Sequence, residues 1–378
     1  MAQKKDTDLL NTDTQKFTSP QNKTLINSGG TKTSHSRRLP FLDYAKAVAI
    51  TLMVIYHTSA AYPILGSFRM STFLFIGGIF AKNKQTPFRN VLLKAIEQLL
   101  IPYFLLSIIA FTYCWISPVL HPEIYHTDGF SDIFKKAVVG IFLMQDKVTS
   151  YSFMPCGPLW FLPALFWCRI VFHFWLKMGN LKYKWVLRII LLAGLFLLYW
   201  YKVTIFSLSA AAVCFPLYLC GFYLKDFIKL RLSKTNKATI ALFCSIFIAF
   251  IVFTDGNIIS FGGGTFIGLK TVGYLRCLFG TLTIIGLMIF LEKIPPSKFK
   301  DAVGDLGSAT IAVLGLHMAG IYLFKVVWTK IGYDPGNIPF IVAVPVGIII
   351  CAVCLVIYKK ILVKYLPAAV GKSKIFKN

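Results

Sequence analysis

The sequence predicts an all-α polytopic membrane protein with ten transmembrane helices and a short interfacial or re-entrant segment near residues 130–144. Three observations lead to this prediction. The 378 residues are 56% hydrophobic, and their mean hydropathy of +0.68 exceeds that of typical soluble domains. Apolar runs of roughly 20 residues, the length that crosses a bilayer, recur from residue 41 to residue 364. Basic residues concentrate between these runs.

Each candidate span is an apolar run bounded by polar or basic residues. The segment 130–144 is excluded because it is short and because Lys135 and Lys136 interrupt it, so we expect it to lie at the interface. The predicted spans are 41–62, 67–81, 95–117, 159–176, 186–201, 206–224, 238–254, 271–291, 306–328 and 338–358.

The distribution of charge predicts the orientation of these spans. If 130–144 does not cross, the regions assigned to the cytoplasm contain 29 of the 40 Lys and Arg residues. If it crossed, every later basic cluster would lie outside, against the positive-inside rule. Ten spans with both termini in the cytoplasm are therefore predicted. The basic residues assigned to the outer side are Arg69, Lys135, Lys136, Lys147, Lys202, Lys270 and Lys330.

The remaining segments and the overall charge are interpreted on the same basis. Residues 1–36 are polar and predict a disordered cytoplasmic tail, 37–364 form the membrane domain, and 365–378 form a basic cytoplasmic tail. The net charge of +25 does not indicate nucleic-acid binding, because the basic residues are dispersed between apolar runs. No metal site is predicted, since "HPEIYHTD" at 121–128 matches no recognised ligand spacing.

The first span carries three chemically active groups. Lys46 and His57 are eleven residues apart, about three helical turns or roughly 16 Å, so both project from nearly the same face. Asp43 precedes Lys46 at i, i+3 and can pair with it. The structural alternatives are that Lys46 reaches the inner headgroups and that His57 packs as a satisfied polar group.

Two further ionisable groups fall inside predicted spans. His317 lies at a depth comparable to that of His57, in a span of the same direction, so the two imidazoles can face one another. Ser308 lies two to three turns below His317. Arg169 falls near mid-span, where it pairs with a membrane carboxylate or binds an anionic phosphate group.

Six motifs, in order across about residues 38–330, resemble the acyltransferase-3 family of membrane acyltransferases, particularly its sugar O-acetylase-like branch. One departure concerns the Arg-x-x-Arg pair that often precedes the third span, since Lys94 and Glu97 occupy those positions here. The matching segments are "FLDYAKAVAITLMVIYH", "FLFIGGIF", "IPYF", "GPLWFLPALF", "PLYLCGFYLKD" and "LGSATIAVLGLH".

The resemblance implies transfer of an acyl group, usually acetyl, from cytoplasmic acyl-CoA to a hydroxyl of a carbohydrate or lipid-linked glycan. The implied setting is a bacterial inner membrane, with the donor as substrate and no permanently bound cofactor. Because neutral imidazole accepts protons near neutral pH, we expect His57 to be the general base, with Asp43 orienting Lys46. The expected donor-binding residues are Lys46, Lys94 and Arg169, and the expected acceptor-binding residues are Trp160, Ser308 and His317.

Two other functions are compatible with the intramembrane polar groups. A transporter or flippase of a lipid-linked sugar would use His57, Arg169 and His317 as substrate or proton sites. A non-enzymatic subunit of a glycan-assembly complex would be insensitive to substitution of His57. Labelled acetyl-CoA distinguishes these functions from acyl transfer.

Overall fold

A computed structural model describes residues 39–59, 63–82, 86–113, 130–145, 156–261 and 265–373. The described residues do not include the predicted tail 1–36. They also omit 114–129 and 146–155, which contain most of the predicted outer segment 118–158 and the histidine-containing stretch 121–128. The helices are α1 (Pro40–Thr58), α2 (Pro63–Ile79), α3 (Phe88–Ala95), α4 (Ile101–Tyr113), α5 (Phe130–Phe142), α6 (Phe161–Met178), α7 (Lys184–Trp200), α8 (Leu208–Asp226), α9 (Lys237–Phe253), α10 (Lys270–Glu292), α11 (Lys298–Ser308), α12 (Thr310–Lys330) and α13 (Phe340–Ile357).

The described part of the chain is a helical, multi-pass membrane protein. Six of its helical segments are long and apolar enough to cross a bilayer, and Phe68–Ile79 and Lys237–Phe253 are shorter apolar helices. A helix lies at each of the ten predicted spans, and six of these spans correspond to the long apolar segments. That the other four also cross the bilayer stays a prediction. The six segments are Phe88–Thr112, Gly157–Met178, Ile205–Leu230, Lys270–Glu292, Thr310–Lys330 and Phe340–Tyr365.

The structure differs from the predicted elements in two places. The run predicted as one span at 306–328 is broken at Ala309, because the charged helix α11 ends there and the apolar helix α12 begins. A short antiparallel hairpin, β1 (Ile258–Ser260) and β2 (Thr265–Ile267), was not predicted; it follows α9 and packs against α2 and α10. Three-residue strands give too weak an alternation to be recognised in sequence.

Glycines allow the most extensive helix contact among the described residues, between α2 and α8. A Cβ atom at Gly78 would lie 2.0 Å from the carbonyl oxygen of Tyr218, and one at Gly221 would lie 1.9 Å from the carbonyl oxygen of Phe75. Small residues allow such close approach between membrane helices, where packing rather than the hydrophobic effect stabilises association. These contacts account for the glycines of "FLFIGGIF" and "PLYLCGFYLKD".

Helix α1 lies at the centre of the bundle, packed against α2, α10, α11, α12 and α13. Buried residues therefore occur on all sides of it, including Leu42, Ile50, Met53 and Val54. Since neighbouring helices surround α1, its polar residues contact protein or internal space. The central position explains why an ionisable column is tolerated in this helix.

Two short segments pack against helix α4. The 13-residue helix α5 is too short to span, and it is tied to α4 by the Tyr103 hydroxyl, which donates to the carbonyl oxygen of Ile141 at 2.8 Å. The 3₁₀ turn Pro367–Val370 packs against α4 and the π-helical segment Ile96–Leu100. Part of the predicted C-terminal tail is thus folded onto the bundle, with Ala369 fully buried.

Candidate active site

The ion pair predicted in the first span is present. The Lys46 ammonium lies 2.7 Å from the Asp43 carboxylate, and both side chains are largely buried. The backbone of Asp43 is fixed by α11, because Gly307 packs directly on its carbonyl: a Cβ at Gly307 would lie 1.9 Å from that oxygen. The glycine of the "LGSAT" motif therefore positions the Asp43–Lys46 pair.

A cavity of about 510 Å³ lies beside this pair, between α1, α2, α3, α6 and α12. Its lining is mostly apolar, and along α6 it runs from Phe161 to Leu176, roughly 22 Å by helical rise. The expected donor-binding residues Lys46, Lys94 and Arg169 all line it. The other polar lining side chains are Lys82, Gln98, His173, Tyr218 and Thr310. We call this space the donor cavity after the three residues that were expected to bind a donor, and we call its ends the Lys46 end and, toward the outer half of α1, the His57 end.

Arg169 projects into the donor cavity without a carboxylate partner among the described residues. Its Nη1 donates to the side-chain oxygen of Gln98 at 2.8 Å. Gln98 lies in the π-helical segment Ile96–Leu100, a distortion that often accompanies functional sites and here turns the amide toward α6. Within the described ranges Arg169 therefore bonds an amide and not the carboxylate of the alternative interpretation, and its planar guanidinium is suited to an anionic group.

The two histidines lie beyond the His57 end of the donor cavity, and their ring centroids are 5.6 Å apart. His317 is fully buried. Its Nδ1 bonds the carbonyl oxygen of Val313 at 2.9 Å, so Nδ1 carries the proton and Nε2 bears the lone pair. That Nε2 has no hydrogen-bond partner within the described ranges.

Arg69 completes this cluster, although it was not among the predicted site residues. Its Nη1 lies 3.3 Å from Nε2 of His57, to which it donates, and its guanidinium lies 3.6 Å over the ring of Tyr56. Charge counting had placed Arg69 with the outer basic residues. The overlooked signal was its position inside the predicted span 67–81, at the end that the antiparallel α1 brings close to His57. We call Tyr56, His57, Arg69 and His317 the imidazole cluster.

The donor cavity and the imidazole cluster are adjacent. Leu314 lines the cavity and lies one helical turn from His317, and Met70 lines it next to Arg69 in the chain. Neither histidine of the cluster is itself a lining residue. The cavity and the imidazole cluster are thus about one helical turn apart along α12.

Two expected acceptor-binding residues are not part of this arrangement. Ser308 is exposed at the end of α11, donates to the carbonyl oxygen of Gly304 at 3.2 Å and does not line the donor cavity. Trp160 packs beside Phe161 and the alanines of α6 and α8. Thr310 and Phe161, their neighbours, line the cavity instead. The part of the chain that is described contains no cluster of three or more potential metal ligands.

Comparison with known proteins assigns the chain to a family. The family model that matches, described as an acyltransferase domain, aligns with residues 39–359. No curated protein and no solved structure matches the chain. The aligned region contains all of α1 to α13, together with the donor cavity except Gly371 and the whole imidazole cluster. Because this match covers more than half of the sequence, the chain belongs to the acyltransferase-3 family, and it is a membrane acyltransferase by that membership.

Proposed function

We propose that the protein transfers an acetyl group from cytoplasmic acetyl-CoA to a hydroxyl of a carbohydrate or lipid-linked glycan facing the outer side of a bacterial inner membrane. The observation that carries the proposal is the adjacency of two sites. A cavity lined by Lys46, Lys94 and Arg169 includes Leu314, one helical turn from His317 in the buried imidazole pair with His57. A charged thioester donor and a hydroxyl acceptor need these two environments side by side.

The donor cavity suits the chemistry of acyl-CoA. Lys82 and Lys94 are exposed at the Lys46 end, where they attract the phosphates of a polyanionic donor. The long, mostly apolar interior accommodates an extended pantetheine arm with its thioester leading. Arg169, midway along α6, hydrogen-bonds a carbonyl or phosphate oxygen that displaces Gln98. The thioester is thereby directed toward the His57 end.

His57 acts as the general base in this proposal. Its Nε2 accepts the proton of the acceptor hydroxyl while the hydroxyl oxygen attacks the thioester carbonyl. Collapse of the tetrahedral intermediate breaks the carbon–sulfur bond, and the departing thiolate takes the proton from the imidazolium. An acyl-histidine intermediate is the alternative route; it predicts ping-pong kinetics, whereas direct transfer requires both substrates bound together.

The test uses the full-length protein purified in lipid nanodiscs, [¹⁴C]acetyl-CoA and a membrane glycan fraction from its host. His57→Gln should lower acetyl transfer by about 10²- to 10⁴-fold, the range for losing a general base. Acetyl-CoA binding should be retained, because Lys46, Lys94 and Arg169 remain. Mass spectrometry of glycans from cells with and without the gene identifies the acetylated acceptor.

Two outcomes would contradict the proposal. Transfer by His57→Gln at the wild-type rate would remove His57 from the mechanism. Absence of label in every glycan fraction, together with glycan movement across the membrane that depends on Arg169 and His317, would instead support a transporter.

A further inference from the structure

We infer that Arg69 is a catalytic residue whose guanidinium binds the oxyanion of the tetrahedral intermediate, beside the base His57. The inference rests on the proposed acyl transfer and assigns a role to a residue that neither the sequence motifs nor the family match singles out. It follows from the geometry, the charge and the unpaired atoms of the imidazole cluster.

The geometry places a fixed donor next to the base. The Arg69 Nη1 lies 3.3 Å from Nε2 of His57. When a hydroxyl bonds to that Nε2, the carbonyl carbon that it attacks comes to lie one bond length from the hydroxyl oxygen, and the oxyanion lies one bond beyond that carbon. The developing oxyanion therefore forms within reach of the same guanidinium. Stacking on Tyr56 at 3.6 Å fixes the plane of the guanidinium before substrate arrives.

The imidazole cluster carries a positive charge at Arg69. Among the residues described, no carboxylate pairs with Arg69, and its neighbours there are the neutral imidazole of His57 and the ring of Tyr56. Its Nε is buried without a hydrogen-bond partner, as is Nε2 of His317. A buried cation without a counter-ion is costly in a membrane protein unless an anion is supplied during function.

The reaction supplies that anion transiently. As the acceptor oxygen bonds to the thioester carbon, the carbonyl π electrons move to oxygen and the hydroxyl proton moves to Nε2 of His57. The acceptor hydroxyl replaces Arg69 at Nε2, which frees the Nη1 N–H to donate to the oxyanion. When the carbon–sulfur bond breaks, the oxyanion returns to a carbonyl and the thiolate takes the proton from His57.

The experiment compares Arg69→Gln and Arg69→Lys with Arg188→Gln. Arg188 is a matched control because its guanidinium also stacks on an aromatic ring, Trp175, at 4.6 Å, but it lies away from the imidazole cluster. Arg69→Gln should lower kcat for acetyl transfer by about 10²- to 10³-fold, as for loss of one oxyanion donor. The KM for acetyl-CoA should stay within about threefold of wild type.

A binding measurement separates the oxyanion role from misfolding. A tetrahedral phosphonate analogue of acetyl-CoA should bind Arg69→Gln about 10²-fold more weakly than wild type, whereas CoA itself binds both equally. Arg69→Lys, which keeps the charge, should recover part of both losses. Arg188→Gln should match wild type throughout.

Each contrary result has a defined meaning. Wild-type kcat in Arg69→Gln, or a loss confined to the KM for the acceptor, would overturn the oxyanion role. Equal losses of CoA and analogue binding would also overturn it, because they indicate a structural role. A wild-type protein that neither transfers acetyl nor binds the analogue more tightly than CoA would instead refute the proposed function itself.

Discussion

Substitution of Gly307 by alanine should disable the site without removing any of its functional groups. The new Cβ would lie 1.9 Å from the carbonyl oxygen of Asp43, whereas an ordinary contact is 3.4–4 Å. Because backbone lies on both sides, α1 and α11 must separate by about 1.5 Å, and overpacking of this kind costs about 1–3 kcal/mol. His57 moves with α1 as well as the Asp43–Lys46 pair, and a displacement of this size at the base can lower a catalytic rate by about 10²-fold.

The assay measures the thermal unfolding midpoint, acetyl-CoA affinity and acetyl transfer of Gly307→Ala in nanodiscs. The midpoint should fall, and transfer should fall by about 10²-fold. Gly194→Ala is the matched control, since Gly194 lies on helix α7 and a Cβ added there would meet no atom within 4 Å, so alanine should be neutral or slightly stabilising. Unchanged stability and transfer in Gly307→Ala would refute the reasoning that this contact positions α1 and the groups it carries.

Two more substitutions test the donor cavity and the helix contact. Lys46→Gln should raise the KM for acetyl-CoA about tenfold with little change in kcat, because Lys46 contributes positive charge at the Lys46 end of the cavity. Steady-state kinetics at two salt concentrations measures this effect. An unchanged KM would exclude Lys46 from donor binding. Gly221→Ala should lower the free energy of unfolding by about 1–3 kcal/mol, because its Cβ would lie 1.9 Å from the Phe75 carbonyl oxygen. The thermal unfolding midpoint should fall accordingly, and a midpoint equal to that of wild type would contradict the close contact.

The sequence was sufficient to predict a helix at every apolar run and the column of groups on α1. Length and hydropathy determine such helices, and the spacing of Asp43, Lys46 and His57 fixes their relative positions on one helix. The approach of His57 and His317 was also anticipated, because both were placed at similar depth in spans of the same direction. Their separation of 5.6 Å needed the packing of α1 on α12.

What the sequence did not reveal depends on contacts between distant segments. Arg69 was assigned to the outer basic residues because charge counting does not show which helix end it faces. Trp160 ends a 3₁₀ turn and Ser308 ends α11, and the cavity is lined instead by Phe161 and Thr310, which begin the following helices; the expected role of Trp160 and Ser308 toward the acceptor stays a prediction. The break at Ala309 arises where polar and apolar helices meet, and no glycine or proline occupies that position.

The short turn Pro367–Val370 has a consequence for shortened variants of the chain. Gly371, which follows it, lines the donor cavity and packs on the backbone of Gln98. Every basic residue that lines the cavity precedes α7 in the chain, whereas this part of its rim follows α13. Shortening the chain after α13 therefore removes part of the cavity rim while leaving its basic groups in place.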